Sequence, residues 1–301
     1  TFPANVKLLS AVNKVDTLII NGTECEPYLT DDHTLMLLKG EEILVGTSIL
    51  MKAIGVKKAY IGIENNKRDV IEYLKKLTSS SYSGIEVVAL QERYPQGGEK
   101  QLIDALMGRQ VSSGKLPADV GCVVQNAGTA FASYEAVQKN KPLVERLITI
   151  TGPIATNPCD CKIRIGMSVR HILEYFNTDL SSIGKIIAGG PMMGKALANF
   201  DVPLTKGISG LLLLPPEQSL RQGTRACIRC GQCVEACPMG LVPTQLMTFT
   251  FYKDWDKVEK FRAMDCLECG SCSYVCPSTL PLVDFVRQGK KTVLSIIRNR
   301  K

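Results

Sequence analysis

Cys227-Ile228-Arg229-Cys230-Gly231-Gln232-Cys233-Val234-Glu235-Ala236-Cys237-Pro238 and Cys266-Leu267-Glu268-Cys269-Gly270-Ser271-Cys272-Ser273-Tyr274-Val275-Cys276-Pro277 share one spacing, Cys-x2-Cys-x2-Cys-x3-Cys-Pro. Each cysteine of the second run lies 39 residues after its counterpart, which marks an internal duplication. Eight of the chain's 12 cysteines fall in these runs. Disulfide scaffolds are short secreted chains, so this regular order in a chain of 301 residues points to metal ligation in a reducing compartment.

This spacing is the bacterial ferredoxin signature, in which three closely spaced thiolates wrap a cubane and the fourth cysteine serves the other cluster. On that logic Cys227, Cys230, Cys233 and Cys276 hold one [4Fe–4S] cluster, and Cys237, Cys266, Cys269 and Cys272 hold a second. The alternative is a pair of zinc sites. Zinc favours separated Cys-x2–4-Cys knuckles around a single ion, which a repeated three-plus-one spacing does not match. Between the runs, Leu246–Phe261 reads as a helix, with Trp255 in a packing role.

Of the other cysteines, Cys122 lies in an apolar stretch and reads as core, and Cys159 and Cys161 form a Cys-Asp-Cys pair open to a third metal. Cys25 stands between two carboxylates that would raise its thiol pKa. Only His33 and His171 are histidines, which excludes a histidine-rich metal site, and His33 reads as a helix-start residue after Asp31 and Asp32.

Upstream, strands alternate with helices. Val15–Asn21 is a short apolar strand, followed by a helical stretch from Asp32 to Ile54 with a break at Gly40. Strand Ala59–Ile63 leads to a helix with Asn65 or Asn66 as N-cap and with Val70, Ile71, Leu74 and Leu77 on one face. Strand Ile85–Leu90 precedes a helix ending near Met107, and strand Gly121–Gln125 opens into another helix. Such alternation predicts a parallel sheet flanked by helices, with ligands at the C-terminal ends of the strands. From Leu143 to Pro203 short strands and turns surround a helix at Val169–Phe176, and Pro215-Pro216 marks a linker.

Apolar residues make up 45% of the chain, enough to bury a sizeable core. The formal charge is +7. Two oxidised clusters at about −2 each would bring it to about +3. The cations are scattered apart from a basic stretch at Arg287 to Lys301, without interleaved aromatics, so no nucleic-acid partner is expected. No run approaches the ~20 apolar residues of a membrane-spanning helix, and the chain is read as soluble or peripheral. It begins at Thr1 without methionine and is read as part of a longer protein.

The polar loops carry a resemblance. Thr1-Phe2-Pro3-Ala4-Asn5-Val6-Lys7, Asn21-Gly22-Thr23-Glu24-Cys25-Glu26-Pro27, Tyr94-Pro95-Gln96-Gly97-Gly98-Glu99, Val124-Gln125-Asn126-Ala127-Gly128-Thr129 and Gly189-Gly190-Pro191-Met192-Met193-Gly194 together resemble the C subunit of the Rnf complex. That complex is a membrane-bound ferredoxin:NAD oxidoreductase coupled to ion translocation. The architecture is also similar to the NADH-binding flavoprotein subunit of respiratory complex I. By position, the resemblance implies FMN contact at Lys7, Asn21, Thr23, Glu24, Glu26, Tyr94, Gly97, Gly98, Glu99, Val124, Gln125, Asn126 and Thr129. Thr23 replaces an Asp and Gly98 a Glu of the complex I pattern, and most of the glycine-rich segment is expected before Thr1. On the residues themselves, Gly97 and Gly98 would let backbone N–H groups approach a phosphate and Lys7 would neutralise it. Read alone, Asn21–Pro27 is equally an acidic turn.

The expected fold is therefore multidomain α/β: a Rossmann-like parallel-sheet flavin domain over 1–142, a small α+β, β-grasp-like module over 143–214, and a mainly helical two-[4Fe–4S] ferredoxin-like domain over 215–301. The resemblance implies an NAD-linked oxidoreductase using FMN, NAD(H) and two [4Fe–4S] clusters. It also implies other Rnf subunits as partners, ferredoxin as an indirect one, and a peripheral place on the cytoplasmic side of the cell membrane. No side chain is expected to act as a general acid–base pair or nucleophile. The rival readings are a soluble cobalamin-reductase-type protein and a non-catalytic iron–sulfur wiring and docking module.

Overall fold

A computed structural model describes residues 3–220 and 222–300. Thr1 and Phe2 of the first motif, Arg221 and Lys301 at the end of the basic stretch lie outside the described residues. The chain divides into two compact units, Thr1–Val111 with Lys115–Ser219, and Ser112–Gly114 with Leu220–Lys301.

In the first unit α1 (Ala4–Ala11) precedes β1 (Thr17–Asn21), α2 (Asp31–Leu38) and α3 (Gly40–Ile54). Then follow β2 (Lys58–Glu64), α4 (Arg68–Ser81), β3 (Ile85–Leu90), α5 (Glu99–Met107), β4 (Cys122–Asn126) and α6 (Ala127–Lys139). Among the described residues the four strands form one parallel sheet in the order β3-β2-β1-β4. The unbroken apolar run of β1 suits a central strand covered on both faces. Successive side chains point to opposite faces: Leu18 and Ile20 join Ile43, Leu44 and Leu74, while Ile19 joins Leu102, Ile103 and Val124.

The break between α2 and α3 falls at Lys39, and Gly40 opens α3 because a Cβ there would press on the Tyr73 and Leu74 side chains of α4. Farther along α3, a methyl group on Gly46 would overlap the Ala130 carbonyl of α6, so this glycine sets how closely the two helices approach. The expected cap of α4 is corrected. Its N-cap position is Lys67, not Asn65 or Asn66, because Lys67 N bonds the Glu64 carbonyl (3.0 Å) in a turn that takes up both asparagines before the helix starts.

The same unit carries β5 (Glu145–Thr151), β6 (Cys159–Arg164), α7 (Val169–Tyr175), β7 (Lys185–Ala188), β8 (Lys195–Ala196), β9 (Gly210–Leu214) and α8 (Pro216–Ser219). The second sheet runs β6-β5-β9-β7-β8, with β5 and β9 parallel at its centre and the other pairs antiparallel. Val169, Ile172 and Leu173 of α7 pack on Ile148, Ile150, Ile186, Leu211 and Leu213. One helix lying across a mixed sheet agrees with the β-grasp-like expectation. Ser168 caps α7 by accepting from the His171 amide (3.2 Å).

The second unit contains α9 (Gln232–Glu235), α10 (Pro243–Phe251), α11 (Trp255–Lys260), α12 (Ser271–Tyr274) and α13 (Leu282–Asn299). The duplication is visible in the backbone. Gly231 and Gly270, at the starts of α9 and α12, both have φ 81°, and Arg229 and Glu268 share left-handed φ values of 56° and 59°. The expected helix Leu246–Phe261 is corrected to α10 and α11, separated at Tyr252–Asp254. Lys253 turns left-handed (φ 58°), and the Asp254 carboxylate accepts from the Lys257 amide (3.2 Å), starting a new helix. Trp255 packs with Leu246, Val258 and Val286, the core role expected of it.

Candidate functional site

In a sheet ordered β3-β2-β1-β4 the crossovers reverse direction between β1 and β4, and the crevice beyond that switch point is where α/β sheets bind ligands. Asn21 and Asn126, the last residues of β1 and β4, are register partners there. Asn21 holds two loops together. Its Oδ1 accepts from Thr23 N (3.1 Å) and Thr23 Oγ1 (2.7 Å), and its Nδ2 donates to the Gly97 carbonyl (3.0 Å). A Cβ on Gly97 would stand 2.6 Å from Thr23 Oγ1, so only glycine allows this approach. Lys7 on α1 is ion-paired with Glu99, the first residue of α5, and donates to the Val124 carbonyl of β4 (3.2 Å). Beside it, Asn126 caps α6 through Gly128 N (2.8 Å) and donates to Asp32 (2.7 Å); Thr129 lies in the first turn of α6.

Two expectations for these loops change. The Gly97 and Gly98 amides, expected to face a phosphate, donate to Cys25 Sγ (3.4 Å) and to the Pro95 carbonyl (3.0 Å), because the loop closes on itself as a turn. Lys7, expected to neutralise a phosphate, already has the Glu99 carboxylate as partner. One polar group at the end of β4 is left unsatisfied, the Gln125 amide, whose Nε2 is buried without a hydrogen-bond partner. A buried donor without an acceptor is costly. Together with the glycine-lined approach at Gly97, it fits a ligand rich in carbonyl and hydroxyl acceptors, as a flavin is.

Carboxylates crowd the start of α2. Glu24 reaches over to accept from Asp32 N (2.6 Å) and His33 N (3.2 Å), supplying the acceptors that a helix N-terminus lacks. Its carboxyl is pushed up to about 8, chiefly by burial and next by the charge of Asp32. Burial likewise raises Asp31 and Asp32, although Arg146 pairs with Asp31 (3.1 Å). Lys67 donates to the Thr23 carbonyl (2.7 Å). Lys67 and Arg146 lie far along the chain from Asn21–Asp32, so no local pattern in the sequence marks them as partners of this loop.

A pH dependence follows from the sign of these shifts. A carboxyl raised in the folded chain binds more protons folded than unfolded, so stability falls as pH rises through the window between its two pKa values. For Glu24 that window runs from 4.5 to about 8. The melting temperature of the first unit should fall across it, and Glu24→Gln should flatten the slope. Thermal melts at a series of pH values check this; equal slopes in both proteins would reject it.

Glu26 points elsewhere. Its carboxylate accepts from the backbone amides of Met192 (3.1 Å) and Met193 (2.7 Å), and Tyr94 Oη lies 3.4 Å away. His33 sits in the first turn of α2, as expected, with Nε2 3.0 Å from Asp69. Cys25 has a raised pKa, but burial is the main cause and the nearby carboxylates add less than sequence reasoning assigned them. Cys122 is fully buried in β4. Cys159 and Cys161 share one face of β6, where burial pushes Cys161 up to about 12. Among the described residues no cluster of three or more His, Cys, Asp or Glu could hold a single metal ion.

In the second unit the cysteines line two open cavities, each mixing both runs. One is lined by Cys227, Cys230, Cys233 and Cys276. The other is lined by Cys237, Cys266, Cys269 and Cys272, with Leu241, Leu246, Val283 and Val286. Cys227 and Cys230 are exposed, whereas Cys269, the counterpart of Cys230, is buried. Backbone N–H groups already point at sulfur, Leu241 N to Cys237 Sγ and Glu268 N to Cys266 Sγ, both at 3.3 Å. Burial pushes Cys272 up to about 12, and the neighbouring Cys266, Cys269 and Cys237 push in the same direction. Four thiols crowded around an apolar space suit a polynuclear cationic core that neutralises thiolates.

Residues 1–135 match the Nuo51 FMN-binding domain family and residues 226–280 the 4Fe-4S dicluster domain family. The chain is 45% identical over 296 residues to the C subunit of the Na(+)-translocating ferredoxin:NAD(+) oxidoreductase complex of Acetobacterium woodii, covering 98% of this chain and 67% of that protein. It is 45% identical over 247 residues to the proton-translocating counterpart of Clostridium ljungdahlii, covering 82% and 54%. With the C subunit of the ion-translocating oxidoreductase complex of Serratia proteamaculans it shares 41% over 297 residues, covering 98% and 42%. The chain thus spans between 42% and 67% of the length of these relatives. An NAD+-reducing [NiFe]-hydrogenase in the H2-reduced state shares the fold, with a TM-score of 0.66 at 15% identity over 98% of this chain and 58% of that one. No helix among the described residues is long and apolar enough to cross a membrane. Identity of 45% over 98% of its own length and 67% of that of the Acetobacterium woodii protein makes this chain a member of the family of C subunits of ion-translocating ferredoxin:NAD(+) oxidoreductase complexes.

Proposed function

We propose that this chain is the NAD-linked electron-transfer part of an ion-translocating ferredoxin:NAD oxidoreductase, passing electrons between NAD(H), FMN and two [4Fe–4S] clusters. Residues 1–142 form the flavin and nucleotide domain, 143–214 the β-grasp-like module, and 215–301 the cluster domain. The observation that carries the reading is the mixed lining of the two cysteine cavities, where three cysteines of one run meet the last cysteine of the other. Cys227, Cys230, Cys233 and Cys276 would hold one cluster, and Cys237, Cys266, Cys269 and Cys272 the other.

The flavin site is drawn at the β1/β4 switch point, with Asn21, Thr23, Gly97 and Gln125 nearest its centre and Lys7, Glu99, Val124, Asn126 and Thr129 around it. When bound, the flavin supplies the conversion between a nicotinamide, which moves two electrons, and an iron–sulfur centre, which moves one. The chain's own residues bind and orient. Gln125 presents a buried amide donor, Asn21 fixes the loop geometry, and backbone N–H groups bonded to cysteine sulfur tune cluster potential. Attachment to the cytoplasmic side of the membrane would come through the other subunits, which the names of the relatives imply.

Anaerobic absorption and EPR spectra with iron counting test the proposal on the full-length protein supplied with FMN and then NADH. About eight irons per chain and a cluster signal that changes on adding NADH are expected. Flavin bleaching without any change in the cluster signal would exclude transfer within the chain. Absence of FMN binding in a fluorescence titration would leave only a wiring and docking role.

A further inference from the structure

The two cysteine runs repeat in spacing but not in what surrounds them. Glu268 in the second run stands where the first run has Arg229, a reversal of charge at one position of the repeat. Arg229 is exposed, whereas the Glu268 side chain is 30% exposed and turned towards α13. There Arg287 Nε donates to Glu268 Oε2 (2.8 Å), and Lys290 Nζ lies 3.2 Å from Glu268 Oε1. Arg287 and Lys290 are three positions apart and so share one side of the helix. Lys290 Nζ also donates to the carbonyl of Cys266 (2.7 Å), a cysteine that lines the second cavity. Its side chain is 23% exposed. The neighbouring carboxylates have cations of their own, Asp265 with Arg262 (3.1 Å) and Asp284 with Arg287 (3.4 Å). Val283 and Val286 of the same helix line the second cavity, and no described residue of α13 lines the first.

We propose that the Lys290–Glu268 pair sets the reduction potential of the cluster on Cys237, Cys266, Cys269 and Cys272, the ammonium raising it and the carboxylate lowering it. The duplicated motif then yields two clusters of unequal potential. The inference rests on the reading that each cavity takes a [4Fe–4S] cluster. Cluster potential follows net charge, solvent exposure and hydrogen bonds to sulfur. Reduction adds one negative charge to the cage, which a nearby cation favours and a nearby anion opposes. Charges partly withdrawn from water are screened less than exposed ones, so the pair that grips the Cys266–Cys269 loop acts on the second cluster. At the first cluster the corresponding charge, Arg229, is exposed and its field is damped by water. Arg287 acts through Glu268, as the positioning residue that holds the carboxylate in place.

Redox titrations followed by EPR, with iron counted in each sample, are run on the full-length protein as wild type, Lys290→Gln, Lys290→Arg and Glu268→Gln. The signal that persists in Cys230→Ser identifies the second-run cluster. Its midpoint should fall in Lys290→Gln and rise in Glu268→Gln, each by about tenfold in the reduction equilibrium, or about 59 mV for one electron. Lys290→Arg, which keeps the charge, should stay near wild type, and the other signal should move much less in every variant. Shifts of the same sign in Lys290→Gln and Glu268→Gln, equal shifts of both signals, or no shift at full iron content would overturn the proposal. Should Lys290→Gln lose iron, Glu268→Gln decides alone, a raised midpoint supporting the proposal and an unchanged or lowered one overturning it. Loss of iron from both would make the pair a structural clasp and overturn it as well. Wild-type protein with fewer than about eight irons would instead defeat the cluster reading, an outcome separable from full loading with unmoved midpoints.

Discussion

Replacing Cys276 by serine should remove the cluster of the first cysteine run, although Cys276 lies in the second. Iron content should fall by about half, to about four per chain, and one of two overlapping EPR signals should vanish. The expectation comes from the cavity that Cys276 shares with Cys227, Cys230 and Cys233. Double variants decide it. Adding Cys230→Ser to Cys276→Ser should cost no further iron, because both residues line one cavity, whereas adding Cys269→Ser should empty both. If Cys269→Ser were the silent partner instead, each run would hold its own cluster and the ligand exchange would be wrong. Within the affected pair, the exposed Cys227 and Cys230 also make the first-run cluster the one that oxygen or chelator should strip first.

The second large effect concerns folding. Gly46→Val would drive a branched side chain into the Ala130 carbonyl, where neither helix has a flexible group to yield. Backbone contacts of this kind lie at the upper end of overpacking, so a loss of about 3 kcal/mol or more is expected. Urea unfolding followed by circular dichroism measures it. The control is Gly223→Ala, where an added methyl meets nothing within 4 Å; it should shift stability by less than about 0.5 kcal/mol. Similar losses in the two variants would mean that α3 and α6 move apart freely. The second unit has its own version of this contact at Gly289 on α13, where a methyl would overlap Thr250 Oγ1 of α10.

Much of the fold was legible because its signals are local. The apolar runs of β1 and β4 announce buried parallel strands, and the spacing of Val70, Ile71 and Leu74 announces the inner face of α4. The cysteine runs were the clearest signal, since duplicated spacing leaves few alternatives. The corrections arise where long-range contact decides. Asn65 and Asn66 look like caps, yet a turn at Glu64–Lys67 carries the helix start past them. The helix expected through Leu246–Phe261 is interrupted at Lys253, whose left-handed backbone no composition rule marks. Lys7 and Glu99 stand 92 positions apart, so sequence reasoning had no reason to pair them. Glu24 and Glu26 are two residues apart in an acidic loop and look equivalent, but one caps α2 and the other holds a turn 166 residues away.

The crossed lining of the cysteine cavities bears on biogenesis. Under the proposed exchange, Cys227, Cys230 and Cys233 leave the ribosome with one corner of their cage still untranslated until Cys276 emerges, 43 positions after Cys233. The other core waits for Cys272, so a nascent chain cut before that point completes neither. A premature stop anywhere between Cys233 and Cys276 therefore strands a centre whose other three ligands are already made.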